Sequence, residues 1–284
     1  MTDLQFQPPE ALPQTGTIPW RMNGEWLDEE RPFEVFHEAS KWWRKTSAPI
    51  MMRINAYLTV PKLIEQSRLG FKRFLGDSVD LPAPAPAAMT LGDALDRRVS
   101  ERRFAAGPIS LRALSDILHA AAAARRVTTE KRPLYSRPYP SAGGLYPVEV
   151  YVIFLAVEGM PPGVYNYDAR HHKLRPVLER LAVEEVTKGI ETLPATNQAA
   201  AIIVLSAVFQ RCTVKYGERG YRFALLEAGH LSQNICLAAE AVGYGSLAWG
   251  AYYDDEVNVS IAADGVTESI VAMLFLGAHD AEQA

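Results

Sequence analysis

The chain is 284 residues long, 48% hydrophobic and 22% charged, with a formal net charge of -4, which allows one large globular domain or two of about 100–200 residues. The acidic balance argues against nucleic acid or an anionic membrane as partner, since either would require a basic face. No apolar run reaches the roughly 18 residues of a membrane span, and residues 1 to 18 lack a signal-peptide core, so the sequence reads as cytoplasmic.

Residues 1–88 hold ten of the 19 prolines, together with Trp20, Trp26, Trp42 and Trp43. The first thirty read as extended, followed by helices over 33–44 and 60–75, whose aromatic faces either pack as core or line a peptide groove. Residues 81–88 (LPAPAPAA) read as a stiff polyproline-like linker that closes an N-terminal accessory segment, 1–88, and opens a second domain, 89–284. Thr90 and Asp93 form a capping box for a helix that runs into Arg97, Arg98, Ser100, Arg102 and Arg103. That cluster has two readings: cations on the carbonyls of a helix end, or guanidinium forks and a hydroxyl suited to phosphate oxygens.

Ser110 caps the next helix, and the charged residues 125–132 read as a loop. The segment Arg137 to Pro147 (RPYPSAGGLYP) then enters a strand over 148–157. Its paired glycines either let the backbone approach a flat ligand or make an ordinary turn. Runs 164–167 and 173–178 flank DARHH as a hairpin, which makes His171 and His172 turn residues rather than metal ligands. Residues 180–192 read as a helix, 200–209 and 269–277 as central strands, and 254–262 as a short helix.

Residues 214–250 are the centre of the pattern. They read as a polar turn carrying Lys215 and Tyr216, a helix over 221–242 that is apolar on nearly every face, a cap and turn at Gly243 and Gly245, and a strand over 247–252. Alone, Lys215 and Tyr216 read as a solvated dipeptide. Cys212 and Cys236 have neither disulfide nor metal-ligand spacing and read as buried thiols, so no metal site is expected. The string Gly243-x-Gly245-x-x-Ala248 follows a helix and opens a strand, the reverse of a dinucleotide fingerprint. The sum is an α+β domain over 89–284.

Taken in order, Arg98-x-Ser100-x-Arg102-x-Phe104, Pro140-Ser-Ala-Gly-Gly-Leu-Tyr-Pro147, Gly163 to Asp168, Lys215 to Arg222 and Glu227 to Asn234 resemble the SagB-type thiazoline/oxazoline dehydrogenases of the FMN-dependent nitroreductase superfamily. Residues 36–41 resemble a stretch found upstream in the same group. The resemblance implies a mixed sheet wrapped by helices, in a homodimer with FMN at the subunit interface and the 221–242 helix in the dimer core. It assigns Arg97 or Arg98, Ser100 and Arg102 to the phosphate. Pro140, Ser141, Ala142 and Gly143 fall along the flavin ring, Gly229 near its reactive nitrogen, and Lys215 and Tyr216 in catalysis. It implies an azoline-containing peptide as substrate, with a cyclodehydratase complex as a candidate partner. A small-molecule reductase using NAD(P)H, or a flavin-binding partner subunit, are the alternatives. Two departures stand out: Val99 occupies a position where the family commonly has arginine or histidine, and the tail after Leu276 lacks the basic residues that close over the phosphate in many plain nitroreductases.

Overall fold

The computed structural model describes residues 21–22, 25–26, 32–42, 47–60, 72, 77–129, 132–177, 187–190 and 198–280. The chain divides into two compact units, Met1–Lys41 and Trp42–Ala284. In the first, β1 (Arg21–Met22) pairs antiparallel with β2 (Glu25–Trp26), and α1 (Pro32–Ala39) leaves Phe33 exposed. The predicted helix over 33–44 corresponds to α1; Trp43 and Arg44 lie outside the described residues.

The second unit contains α2 (Ser47–Thr59), β3 (Val79–Asp80), α3 (Leu91–Arg97), β4 (Phe104–Ala105), α4 (Leu111–Ala122), β5 (Arg125–Thr129), β6 (Arg132–Ser136), β7 (Val148–Phe154), β8 (Gly163–Asp168), β9 (Lys173–Pro176), β10 (Ala201–Val208), α5 (Gln210–Tyr216), α6 (Arg219–Ala241), β11 (Tyr244–Trp249), α7 (Asp254–Ser260) and β12 (Glu268–His279). One sheet runs in the order β11-β12-β10-β7-β8-β9-β3, with β4 also on β12. Its ladders are antiparallel, and parallel pairing is confined to isolated bridges, Ser100 with Ser246 and Ile109 with Val157.

The central strands β7 and β10 are apolar except for buried Glu149 and Ser206, because both faces are covered. In β7, Val150, Val152 and Phe154 join a core with Leu114 and Ile117 of α4 and Leu231 and Ile235 of α6. Tyr151 and Ile153, turned the other way by the period of two, join a second core with Val257 and Ile261. Register carries this across the sheet, with Ile203 opposite Val152 on one side and Leu274 on the other. Among the described residues no helix is long and apolar enough to cross a membrane.

Residues 81–85 are extended, but they do not separate two bodies. The Ser115 hydroxyl donates to the Pro82 carbonyl (2.6 Å), Arg112 donates to the Ala83 carbonyl, and the Ala85 N–H donates to Asp116 (2.8 Å). With β3 paired to β9 and Leu81 buried, this strap is bound along α4, so the division between compact units falls at Lys41 rather than at residue 88.

Other differences have local causes. Residues 125–129 and 132–136 pair as the β5–β6 hairpin, so cross-strand pairing overrides their charge. The strand expected at 247–252 begins at Tyr244, because Gly243 (φ 82°) ends α6 at once. Gly245 is a strand residue, where a Cβ would stand 2.9 Å from Cγ of Glu101. The helices predicted over 60–75 and 180–192 fall largely outside the described residues, while the helix present nearby, α2, precedes the predicted one. Thr90 and Ser110 cap α3 and α4 as read from the sequence, each accepting from the N–H three residues on, at 3.1 and 3.0 Å.

Candidate active site

The site grows from the loop between β6 and β7. Gly143 and Gly144 both take φ 65° and Tyr146 takes φ 47°, left-handed conformations in which glycine carries no Cβ penalty. Side chains from several elements hold this loop. The Ser141 hydroxyl accepts from the Tyr146 N–H (2.9 Å), and Asn234 of α6 donates to the Pro138 carbonyl (2.9 Å). Buried Arg137 donates to the Tyr139 hydroxyl (2.8 Å) and the Val148 carbonyl (3.1 Å). Arg211 of α5 donates to the Tyr146 carbonyl (3.1 Å) and pairs with buried Glu149 at 2.6 Å. Bonds to charged groups are worth about 1.5–3 kcal/mol each, so the loop is rigid by construction.

Onto Gly143 come Lys215 and Tyr216. A Cβ built on Gly143 would lie 2.7 Å from Nζ of Lys215 and 2.6 Å from the Tyr216 hydroxyl. These residues do not sit in a polar turn. They form the last turn of α5, ended by Gly217 at φ 60°, and Lys215 is 8% exposed. The solvated-dipeptide reading fails because the ammonium lies against two aromatic rings, 5.1 Å from the centroid of Tyr57 and 5.0 Å from that of Tyr216.

Behind the loop stands Glu227 of α6, 2% exposed. Its Oε1 accepts from the Val148 N–H (3.3 Å), and Oε2 has no hydrogen-bond partner among the described residues. Burial pushes its carboxyl up to about 7, against the opposing pull of the Ser141 hydroxyl and the Arg137 and Arg211 guanidiniums.

The arginine cluster lies elsewhere, at and after the end of α3, which packs on α6. Arg97 closes α3 and is exposed. Arg98 is half-buried and close enough to Cys236 to act on it electrostatically. Ser100 bridges to Ser246 of β11, and Ser100 and Arg102 are exposed on either side of the inward-turned Glu101, whose carboxylate meets His279 at 3.2 Å. Among the described residues no carboxylate pairs with Arg98 or Arg102. The donor set, two guanidiniums and a hydroxyl open to solvent, fits a phosphate.

At 100° per residue, Glu227 and Cys236 are half a turn out of phase on α6. One chain therefore presents the Gly143 loop, Lys215 and Tyr216 on one side of this helix and the arginine cluster on the other. Gly229 lies about 200° from Glu227, with Leu225, Leu226, His230 and Gln233, on an exposed stripe. It does not meet the loop within the chain, and α6 is not covered all round. Pro140 is exposed, and Ser141 and Ala142 are half-buried at the base of the Gly143 turn.

The remaining polar groups are structural. Cys212 and Cys236 are buried, with the Cys212 thiol pushed up to about 12 by burial. His172 is locked between the Ser115 hydroxyl and the Tyr167 hydroxyl, each at 2.8 Å, as a turn residue with φ 54°. Among the described residues no group of His, Cys, Asp or Glu could hold a metal. Sequence reasoning missed Tyr57, Arg211 and Glu149. It also gave no role to Glu227, whose only signal was its place in a quoted motif.

Residues 95–278 match the Nitroreductase family model. Over 184 residues the chain is 33% identical to the candidate nitroreductase MJ1384 of Methanocaldococcus jannaschii, covering 65% of this chain and 90% of that protein. Over 149 residues it is also 33% identical to the microcin B17-processing protein McbC of Escherichia coli, covering 50% of this chain and 54% of McbC. Among solved structures, a chain of the E. coli microcin synthetase McbBCD complex with truncated pro-MccB17 bound superposes with a TM-score of 0.56 at 22% identity. That likeness covers 89% of this chain and 99% of the other, and it bears on the fold. With a family model matching more than half its length and the expected α+β architecture in place, the chain belongs to the nitroreductase family.

Proposed function

We propose that the protein is an FMN-dependent oxidoreductase that converts thiazoline or oxazoline rings of a peptide to thiazoles or oxazoles. The observation that carries this reading is the convergence of Lys215 Nζ and the Tyr216 hydroxyl on the left-handed Gly143 turn, bringing together two motifs far apart in the sequence. Similarity to a processing protein of a peptide antibiotic supports a peptide substrate.

Aromatising an azoline removes two hydrogens from the ring, one as a proton and one with an electron pair. Bound FMN supplies the two-electron acceptor. The chain's own residues do the rest. The exposed backbone at Gly144, with nothing within 4 Å of where a Cβ would stand, offers an approach surface free of side chains beside Gly143. Lys215 Nζ and the Tyr216 hydroxyl stand over that surface as the groups able to take and pass a proton. Arg98, Ser100 and Arg102 would hold the phosphate.

Because the loop and the arginine cluster lie on opposite sides of α6, one elongated ligand meets both sets only if two copies of the chain contribute. A homodimer packed along the Leu225, Leu226 and Gly229 stripe provides that arrangement. In this reading the protein works in the cytoplasm beside a cyclodehydratase complex that makes the azolines.

Mass spectrometry of azoline peptides incubated with the flavin-loaded protein tests the reading, since each oxidised ring loses two hydrogens. Lys215→Ala or Tyr216→Phe should lower the rate per bound flavin by about 10²–10⁴-fold, the usual contribution of general-base catalysis. Turnover of nitroaromatic compounds with NAD(P)H and no azole formation would replace it with the small-molecule reductase reading.

A further inference from the structure

We propose that Tyr57, contributed by α2 outside the residues matched to the family, is a positioning residue that holds the Lys215 ammonium over the Gly143 turn. The inference rests on the function proposed above for its activity readout, but not for its geometry. Lys215 is buried, and among the described residues no carboxylate pairs with it. An ammonium removed from water needs compensation, and an aromatic face supplies it through the ring quadrupole. Two such faces are present, Tyr57 at 5.1 Å and Tyr216 at 5.0 Å from Nζ.

Of the two rings, Tyr216 is joined to the lysine by the backbone, whereas Tyr57 is brought in by tertiary packing. Tyr57 is 1% exposed and packs with Leu145 of the glycine loop and Cys212 of α5, so one ring touches both partners whose alignment makes the site. Arg53, one turn earlier in α2, donates to the Thr213 carbonyl (3.4 Å) and tethers α2 to α5. A lysine stem has four rotatable carbons, and without the Tyr57 face Nζ would have several places to go. The accessory region thereby completes a site whose other parts belong to the family domain.

The test uses the full-length, flavin-loaded protein with residue 57 as Tyr, Phe or Leu. Timed acetylation with acetic anhydride is read by mass spectrometry at Lys215, with exposed Lys188 as internal reference. Tyr57→Leu should raise Lys215 acetylation roughly tenfold by releasing the amine, while Tyr57→Phe, which keeps the ring face, stays close to wild type. In parallel, Tyr57→Leu should lower kcat for azole formation with KM and bound FMN little changed, and Tyr57→Phe should recover most of that loss. Should the leucine variant fail to fold, progressively fluorinated phenylalanines at position 57 keep the shape and weaken the quadrupole, and Lys215 acetylation should climb with fluorine number. Equal acetylation in wild type and Tyr57→Leu, equal behaviour of the Phe and Leu variants, or a flat fluorine series would overturn the proposal. If even wild type forms no azole, the functional reading fails, while acetylation still decides whether Tyr57 holds the lysine.

Discussion

Replacing Gly143 by alanine tests whether the convergence at this turn is catalytic or architectural. The backbone there has φ 65°, where a residue with a Cβ carries about 1–2 kcal/mol of strain. The new methyl would start 2.7 Å from Lys215 Nζ and 2.6 Å from the Tyr216 hydroxyl, against 3.4 Å for ordinary contact, so both groups must retreat by about 0.7–0.8 Å. Both are the far ends of side chains, which move more easily than backbone. The stability loss should therefore stay near the strain alone, a melting temperature lowered by a few degrees at about 2–4 °C per kcal/mol. Catalysis is less tolerant, because displacement of reacting groups by about 1 Å can lower the rate by about 10²-fold. The assay is azole formation per bound FMN, beside thermal melting, for Gly143→Ala, Lys215→Ala and the double variant. Coupled residues should show a double variant hardly worse than Lys215→Ala alone. A Gly143→Ala protein with near-wild-type rate, or one whose loss is wholly explained by unfolding, would refute the reasoning.

Further outcomes follow from the rest of the site. Arg98→Ala and Arg102→Ala should each weaken FMN retention, by about 1.5–3 kcal/mol per lost charge-assisted bond, as read by flavin release on dilution; unchanged retention in both would leave the cluster as a helix end. Glu227, raised from 4.5 to about 7 in the folded chain, holds a proton there that the unfolded chain has released. Stability should accordingly fall as pH rises from about 4.5 to 7, by on the order of 3 kcal/mol at about 1.4 kcal/mol per unit, and Glu227→Gln should flatten melting temperature across that window. A wild-type profile that rises over the window because of this residue would contradict its burial. If the proposed homodimer packs along the exposed stripe of α6, Leu226→Asp should shift it toward monomer by about 100-fold in Kd, with FMN lost in step; light scattering at dilute concentration decides it.

The central sheet was legible because burial on both faces is written into the sequence as apolar, β-branched runs, as in β7, β10 and β12. Helices α3 and α4 were legible from Thr90 and Ser110. Helix α2 was not, although its Pro49 stands in the first turn, where proline is tolerated. Helix α5 was hidden for a different reason: its charged end is buried by Tyr57, which lies far away in sequence. The same non-locality governs the site. Nothing in spacing or composition places Gly143 against Lys215; only the ordered motifs, read through family resemblance, set the two side by side. Gly229 is equally invisible to spacing, because its helical phase turns it away from the loop in its own chain and onto the exposed stripe of α6.

The strap over α4 is held through backbone atoms: the carbonyls of Pro82 and Ala83 accept, and the N–H of Ala85 donates. Beyond buried Leu81, its side-chain identities are therefore nearly free, and Ala83 or Ala85 could be exchanged for most residues without altering a bond. Its length is not free. One residue inserted between Leu81 and Ala85 would leave either the β3 pairing or the Asp116 contact out of register. The segment thus acts as a ruler, tolerant of spelling and intolerant of insertion, that sets where β3 meets β9 relative to α4.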